Sequence, residues 1–575
     1  MNIHPSHLGT IFSILIFYAV ECAAFPAGTV FSDFLYPNPG WDSQVQVYTV
    51  ERLSAQQDAA YWLTVNGLLS PLDSRFIQSA HKSGRLAGAC LSLLTGDDSI
   101  FREAHRRYGL DLRDAVTRSL SGKRAVLPWF AWRSGSQALS LNHPAFRKYL
   151  SLAVRDAVDA GADFLVLDHI ECLDYLLPDN SGGYADCDVE AFYSHLAEEG
   201  FDSFASWLCH RYSACWSDEV ICEKFNLRKA DNFGIVHLLR TSSSELEQLR
   251  QNVRREYCRF HEDYIFREVR ALINETRAYA DQKNKPIKIW INHAGMGGKF
   301  RLGPLFSNCW SGIADRMISE IAYAFPDRPD AALFPPIASL APFHKLGLAY
   351  GTRPVVLMPD PTWGEIASCG DRGRTLSRVL FSEAFACRGF WAIGSRGKSA
   401  SGILPDLEPY ARFVRENRWL YETELDQNNL AVLFSNQALL DEPGAFHSFL
   451  GTAHFLHETS MQYDVVYLGD DRFGGPVPDR EIFNRYYEMI VPFQSISEVL
   501  YEELARFAAS GKKLIIYGNP GGRLQAFHNV RCRDNLGLRF MGKQREQSRK
   551  LISEAFSFLS RQVREIDPEK VVAVL

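Results

Sequence analysis

The sequence predicts an α/β protein with two parts: a (β/α)8 barrel of the TIM type, followed by a smaller, doubly wound α/β domain of flavodoxin-like topology. Three observations support this prediction. Short apolar runs alternate with helical stretches between residues 58 and 400. A second alternation begins after Tyr421. The length of 575 residues exceeds a single ordinary core, so more than one domain is expected.

Eight apolar runs are the predicted barrel strands, and their near-continuous apolar content is typical of strands buried on both faces. Between them, apolar residues at helical spacing from Pro144 to Ala160 predict a helix that ends at Gly161. In chain order the predicted strands are Tyr61 to Val65, Leu86 to Leu94, Ala125 to Phe130, Ala162 to Leu167, Ile287 to Ile291, Arg316 to Ser319, Pro354 to Met358 and Gly389 to Ile393.

The segment between the fourth and fifth predicted strands, at about residues 172–283, is far longer than one helix. It holds helical patterns from Asp188 to Glu199, from Phe201 to Tyr212 and from about Ser244 to Asp281. We interpret it as an insertion on the strand-four loop, near the mouth of the barrel. Half of the 12 cysteines lie in it, without zinc-site spacing, and both disulfides and reduced, buried thiols fit their pattern. These cysteines are Cys172, Cys187, Cys209, Cys215, Cys222 and Cys258.

The second domain is expected over residues 425–575. The run Gly518 to Gly522 is glycine-rich but lacks the GxGxxG order, so a tight turn is predicted there and not a nucleotide site. The predicted strands are Leu430 to Phe434, Tyr463 to Leu468, Met489 to Pro492 and Lys513 to Tyr517, and the predicted helices cover Gly451 to Thr459 and Ile496 to Ala509.

The N-terminus carries one short apolar run, Ile11 to Val20, ahead of Ala24. Its length suits a secretory signal peptide over residues 1–24, although Lys and Arg are missing before it, and a buried N-terminal segment is the alternative. The expectation is a secreted or periplasmic protein whose barrel occupies residues 25–424. No other stretch approaches the length of a membrane span, so none is expected.

The charge and the amino-acid composition argue against a nucleic-acid ligand and slightly favour a carbohydrate. The net charge of -6 and the lack of basic runs interleaved with aromatics predict no nucleic-acid partner. The aromatic content of 13% slightly favours a carbohydrate partner, because sugars stack on aromatic faces, but aromatic side chains are also ordinary core material.

Polar residues that directly follow apolar strands are the candidate site residues, because chemistry in an α/β barrel lies at the carboxyl ends of the strands. Asp168 follows the fourth predicted strand without a gap, Glu320 ends the sixth, and Asp360 lies between two prolines after the seventh. Two carboxyl groups on either side of an anomeric carbon are the usual machinery of glycoside hydrolysis. The candidate substrate-binding residues are Asn66, Trp129, Trp132, His169, Glu171, Asn292, His293 and Trp363.

Other chemistries find less support in the sequence. A metal-dependent barrel hydrolase would show a His pair on the first strand, which here ends in Thr64-Val65-Asn66. The sequence contains neither a GxSxG motif nor a Cys-His arrangement at the predicted strand ends, so a nucleophilic Ser or Cys has no support. We therefore expect neither a metal nor a cofactor.

Several of these motifs resemble those of the family 42 β-galactosidases and their looser relatives. The strand Gly161 to Asp168 is similar to a strand of these relatives and of α-L-fucosidase-like barrels, while Ser319-Glu320 and Thr362-Trp363 look like their strand-end pairs. The segment Asn429 to Tyr517 resembles the trimerisation domain of family 42. The resemblance implies a glycosidase that forms a homo-oligomer, with Asp168 as nucleophile, Glu320 as acid/base and Asp360 as the substitute for either.

A different class of protein stays open at this point. The barrel could be a non-catalytic carbohydrate-binding or assembly protein that kept the fold without the chemistry, since fold does not imply function. Two carboxyl groups in one pocket would argue for the enzyme, and a single one for the binding protein.

Overall fold

The fold is taken from a computed structural model. It describes residues 33–34, 62–64, 77–78, 81–82, 88–96, 98–125, 137–168, 170, 182–292, 310, 313–320, 341–349, 354–358, 378, 382, 390–395, 428–435, 438, 442, 445–458, 461–468, 480–519 and 521–533. In the strands at 33–34, 62–64, 316–320, 354–358 and 390–395 the description is of the backbone.

The larger sheet has eight strands, and seven of them follow one another across the sheet in chain order. The eighth, β1 (Asp33–Phe34), is a short strand that the sequence did not predict, and it pairs antiparallel with β10 (Phe390–Ser395). The strands of this sheet are β1 (Asp33–Phe34), β2 (Trp62–Thr64), β3 (Gly88–Ser92), β6 (Phe164–Asp168), β7 (Lys288–Asn292), β8 (Arg316–Glu320), β9 (Pro354–Met358) and β10 (Phe390–Ser395). Two further strands, β4 (Thr95–Gly96) and β5 (Gln137–Ala138), pair antiparallel with each other.

Neighbouring strands from β2 to β8 run parallel, as a barrel requires. The predicted parallel sheet is thus confirmed, and closure of the sheet into a barrel stays a prediction.

The predicted third strand is wrong as a member of this sheet. β3 pairs directly with β6, so no strand lies between them. Ala125 instead belongs to a local loop structure, where its amide donates to Thr117 O and its carbonyl accepts from the amide of Ala138. Residues 126–130 lie outside the described residues. Asp168 therefore ends the third strand of the sheet from β2 onward, not the fourth.

The insertion between β6 and β7 is helical, as the sequence predicts. Serine side chains begin two of its helices: Ser203 accepts a hydrogen bond from the amide of Ser206, and Ser217 from that of Val220. Left-handed residues, Ser213 and Asn226, end the same two helices. The helices of the first part are α1 (Asp98–Tyr108), α2 (Pro144–Asp159), α3 (Asp186–Glu198), α4 (Phe204–Tyr212), α5 (Asp218–Phe225), α6 (Ile235–Arg240) and α7 (Glu247–Gln282).

An aromatic core holds the insertion together. Phe192 of α3 lies edge-on to Trp207 of α4 and to Tyr257 of α7, with ring centroids 5.7 and 5.0 Å apart. A disulfide joins Cys209 to Cys215 at the end of α4. Within the described residues, Cys187, Cys222 and Cys258 form no disulfide. Cys172 lies outside the described residues.

The second sheet has five parallel strands, which in their order across the sheet are β12 (Asp464–Tyr467), β11 (Leu430–Phe434), β13 (Glu488–Val491), β14 (Lys513–Tyr517) and β15 (Val530–Arg533). Four of them match predicted strands, and β15 was not predicted. Positive φ angles at Gly518, Gly521 and Gly522 fit the predicted tight turn. The elements are β11 (Leu430–Phe434), β12 (Asp464–Tyr467), β13 (Glu488–Val491), β14 (Lys513–Tyr517) and β15 (Val530–Arg533), with helices α9 (Ala445–Glu458), α10 (Arg480–Asn484) and α11 (Glu498–Ala509).

The chain divides into two compact units, and the second contains more than the predicted C-terminal domain. It also takes in residues 322–356 and 379–390. The helix α8 (Ala341–Ala349) lies in this added piece and packs against β12 and α9. Among the helices that the structure describes, none combines the length and apolar character needed to cross a membrane.

Candidate active site

Asp168 is the last residue of β6, whose preceding four residues are buried. Its own side chain is half-buried, at the carboxyl end of the strand. On one side β3 pairs Ser92 with Asp168, and the amide of Leu93 donates to Asp168 O at 2.9 Å. The backbone at this carboxylate is therefore fixed by the neighbouring strand.

On the other side, Asn292 ends β7 next to Asp168. Leu167 pairs with Ile291, so the residues that follow, Asp168 and Asn292, lie side by side at the two strand ends. Asn292 Nδ2 donates a hydrogen bond to Asp168 Oδ1 at 3.0 Å. The Asn292 side chain is 2% exposed, so this donor is held in the protein interior and orients the carboxylate.

Glu320 ends β8, the strand that follows β7 across the sheet. Asn292 pairs with Ile318, which places the backbone of Glu320 two residues further along. Asp168 and Glu320 thus end strands of one parallel sheet with a single strand between them, the spacing that the sequence predicted for this pair.

The other predicted site residues fall outside the described residues. The structure therefore leaves these predictions untested: Asn66, Trp129, Trp132, His169, Glu171, His293, Asp360 and Trp363.

One buried carboxylate was not among the predicted site residues. Asp188 is 2% exposed and accepts four hydrogen bonds, from Thr117 Oγ1, Ser140 Oγ, Asn142 Nδ2 and the amide of Ala185. These partners satisfy its charge, so it joins the insertion to the preceding loops and is not a free acid. In the part of the chain that the structure describes, no group of three or more His, Cys, Asp or Glu could hold a metal ion.

No family model and no curated protein sequence matches the chain. It is similar in structure to α-L-fucosidase isoenzyme 2 from Paenibacillus thiaminolyticus, with 12% identity, a TM-score of 0.44 and coverage of 79% of this chain and 55% of that one. A β-galactosidase from the psychrophilic Marinomonas ef1 gives 13% identity, a TM-score of 0.47 and coverage of 77% and 67%. A β-galactosidase from Bacillus circulans sp. alkalophilus gives 14% identity, a TM-score of 0.45 and coverage of 77% of this chain and 62% of that one.

The chain spans 55% to 67% of the length of these three structures. β-Galactosidases and an α-L-fucosidase are also the kinds of protein that the sequence patterns resemble.

Proposed function

We propose that the chain is a glycoside hydrolase with a (β/α)8 barrel, in which Asp168 and Glu320 are the catalytic carboxyl pair. The observation that carries the proposal is the position of Asp168: a carboxylate at the end of a buried parallel strand, oriented by a buried amide from the next strand. A charge in such a place is costly unless it is used or paired, and chemistry in barrels occurs at these strand ends.

The spacing of the two strands suits this chemistry. Strand axes two positions apart are about 9.5 Å from one another, and side chains that lean together shorten the gap between their carboxyl groups. A separation of roughly 5 to 5.5 Å implies a retaining enzyme with a covalent intermediate, and roughly 6.5 to 9.5 Å an inverting one with room for a water molecule. We assign Asp168 as nucleophile and Glu320 as acid/base, with Asp360 as the substitute for either.

The substrate is a carbohydrate, bound by the other residues that the sequence predicts for the site. Trp129, Trp132 and Trp363 provide aromatic platforms for sugar rings. Asn66, His169, Glu171 and His293 supply hydrogen bonds to hydroxyl groups in the same proposal. The sequence predicts that Asn292 binds substrate; its bond to Asp168 supports a positioning role for it in place of direct contact with the sugar.

Hydrolysis of a panel of aryl glycosides tests the proposal. The Asp168→Asn and Glu320→Gln variants are expected to lose several orders of magnitude in rate while still folding. Asp163→Asn is the matched control, because Asp163 directly precedes the same strand, at the end opposite to Asp168, and its Oδ2 lies 2.8 Å from His81 Nε2. Near-normal turnover by either carboxyl variant contradicts the pair. Carbohydrate binding without hydrolysis of any glycoside would identify the non-catalytic alternative.

The proposal also covers the role of the second domain and the export of the protein. The strand order of the second sheet, 2-1-3-4-5 in its own numbering, supports a flavodoxin-like topology, and we assign this domain to packing and to formation of a homo-oligomer. The Cys209–Cys215 disulfide supports export to an oxidising compartment, with a mature chain that begins near Phe25. N-terminal sequencing of the native protein checks the last point, and an intact Met1 contradicts it.

A further inference from the structure

A cleft separate from Asp168 opens among the helices of the insertion. It has a volume of about 400 Å³, within the range of about 300 to 1,000 Å³ that small-molecule sites occupy. The start of α2 closes one side, and faces of α3 and α7 form the others. Phe260 contributes an apolar surface, on which the ring of His195 is stacked at a centroid distance of 5.2 Å.

Two groups of hydrogen bonds hold the walls of this cleft in place. The Asp188 carboxylate binds the side chains of Ser140 and Asn142, which fastens α3 to the loop before α2. Arg147 of α2 donates to the carbonyls of Leu141 and Asn142 at 3.0 Å each, and also to Tyr264 of α7. The cleft is therefore built before any ligand arrives, which lowers the cost of binding.

The lining combines hydrogen-bond donors and acceptors of nearly balanced charge. Arg147 and Arg267 present guanidinium donors, while Glu190, Glu198 and Asp263 present carboxylate acceptors. A polyanion would meet three carboxylates here, and a polycation two guanidinium groups, so neither is favoured. Sugar hydroxyl groups both donate and accept, which matches a lining of this kind.

The cleft is also connected to the strand end that carries Asp168. The amide of Leu93 bonds to Asp168 O, and the next residue, Leu94, accepts from the amide of Leu139. Ser140 follows directly and bonds to Asp188 beside the cleft. These hydrogen bonds join the wall of the cleft, through the protein interior, to the strand end that carries Asp168.

We propose that the cleft between α2, α3 and α7 is a second binding site for a neutral oligosaccharide, an extended part of the substrate chain. This inference rests on the proposed glycosidase function, and it specifies the substrate as an oligosaccharide and not a small glycoside.

Calorimetric titration of the full chain tests the inference. The background carries Asp168→Asn to prevent turnover, and the probes are cellohexaose, maltohexaose, mannohexaose and a β-1,4-galactohexaose. Arg267→Ala in this background should weaken binding of at least one hexasaccharide about tenfold or more, the effect of losing a charged hydrogen bond. Arg106→Ala is the matched control, since its side chain is 69% exposed against 65% for Arg267, and it lies on α1 outside the cleft. Binding in the control should equal that of the background.

The outcomes separate the two proposals. Equal affinities for Arg267→Ala and Arg106→Ala, no binding of any hexasaccharide, or tighter binding of a heparin hexasaccharide or of oligolysine overturns the inference. If the protein with Asp168 intact hydrolyses neither the aryl glycosides nor any of the hexasaccharides, and binding still depends on Arg267, the proposed hydrolysis is removed and the cleft remains a carbohydrate site.

Discussion

Asn292 is the residue through which the sheet controls the orientation of Asp168. Its buried amide donates to one oxygen of that carboxylate at 3.0 Å. The Asn292→Ala variant should lower kcat on an aryl glycoside by about tenfold to a hundredfold, because the carboxylate loses a bond worth about 1.5 to 3 kcal/mol. KM should change little, since Asn292 acts through Asp168. Steady-state kinetics check this, and a raised KM with unchanged kcat would indicate direct contact with the sugar instead.

His344 of α8 makes folding of the second unit sensitive to acid. The side chain is fully buried, and among the described residues neither of its ring nitrogens has a hydrogen-bond partner. Burial lowers the pKa of His344 to about 3, because the charged form cannot be solvated there. The unfolded chain binds the proton with a pKa of about 6.5. The stability that depends on neutral His344 is therefore complete above about pH 6.5 and is lost as pH falls toward 3.

The His344→Leu variant tests this dependence, because leucine keeps an apolar side chain in the site without a titrating group. Denaturant titration at each pH measures the unfolding free energy. Its decline between about pH 7 and about pH 4 should be shallower in the variant than in the wild type. His528→Leu is the control, since His528 is exposed in the same unit and should keep the wild-type decline. An unchanged decline in the His344 variant contradicts the prediction.

Single site residues are predictable from the sequence where the pattern is local, whereas contacts that span the chain are not. Asp168 was identified because a polar residue directly follows a buried strand. Its bond to Asn292 joins residues 124 positions apart, and the Asp188 bonds to Thr117 and Asn142 span 71 and 46 positions. No pattern along the chain encodes such pairings, because they arise only when the sheet and the insertion have packed.

At the scale of elements, the strands with neighbours on both sides in a sheet were predictable, and the exceptions have physical causes. Pro354–Met358, Leu430–Phe434 and Lys513–Tyr517 match their predicted bounds. The run from Ala125 has the same apolar character, and a short apolar run does not reveal whether it joins a sheet or a local loop. β15 has the sequence Val-Arg-Cys-Arg at a sheet edge, which carries too little apolar content to be noticed.

The disulfide at the end of α4 should stabilise the insertion. Cys209 lies in the last turn of the helix, and Cys215 follows the left-handed residue Ser213 that ends it. Closing a loop of this length in the unfolded chain contributes about 2 kcal/mol in the chain-entropy description. The double replacement of Cys209 and Cys215 by Ser should lower the unfolding free energy by about that amount. Urea titration checks this, with Cys222→Ser, a free thiol on α5, as the control that should change far less.

At the scale of the whole molecule, the second unit is expected to mediate self-association. The exposed fractions of Tyr487 and Val499 in this unit are 65% and 64%, high for large apolar side chains. Light scattering should give a mass above the monomer, and the Tyr487→Ser/Val499→Ser variant should shift the distribution toward the monomer. Val220→Ser, which changes a valine 41% exposed in the first unit, should leave the mass unchanged. A strict monomer at high concentration contradicts the prediction.

The second unit includes residues that lie before position 425, so the chain cannot be cut there without dividing this unit. A cut at residue 425, where the sequence predicts the boundary, would separate β12 from α8. This helix packs against β12, and Lys345 Nζ donates to Tyr463 O at 2.6 Å while lying 4.5 Å from the centre of the Tyr463 ring. β12 is an edge strand of its sheet. An uncovered edge strand exposes unpaired backbone N–H and C=O groups and can pair with another chain, which leads to aggregation.

The fragment 425–575 is therefore expected to fold less stably than the same residues in the full chain. Backbone amides of Asp464 to Tyr467 should exchange hydrogen faster in the fragment, because the helix that covers this strand is missing. Amides of Leu514 to Tyr517, in the buried strand β14, serve as the internal reference, since β14 lies between two strands of the sheet. In the full chain Lys345→Ala should reproduce part of the effect at β12. Equal protection of β12 in the fragment and in the full chain would show that residues 425–575 form a domain without α8.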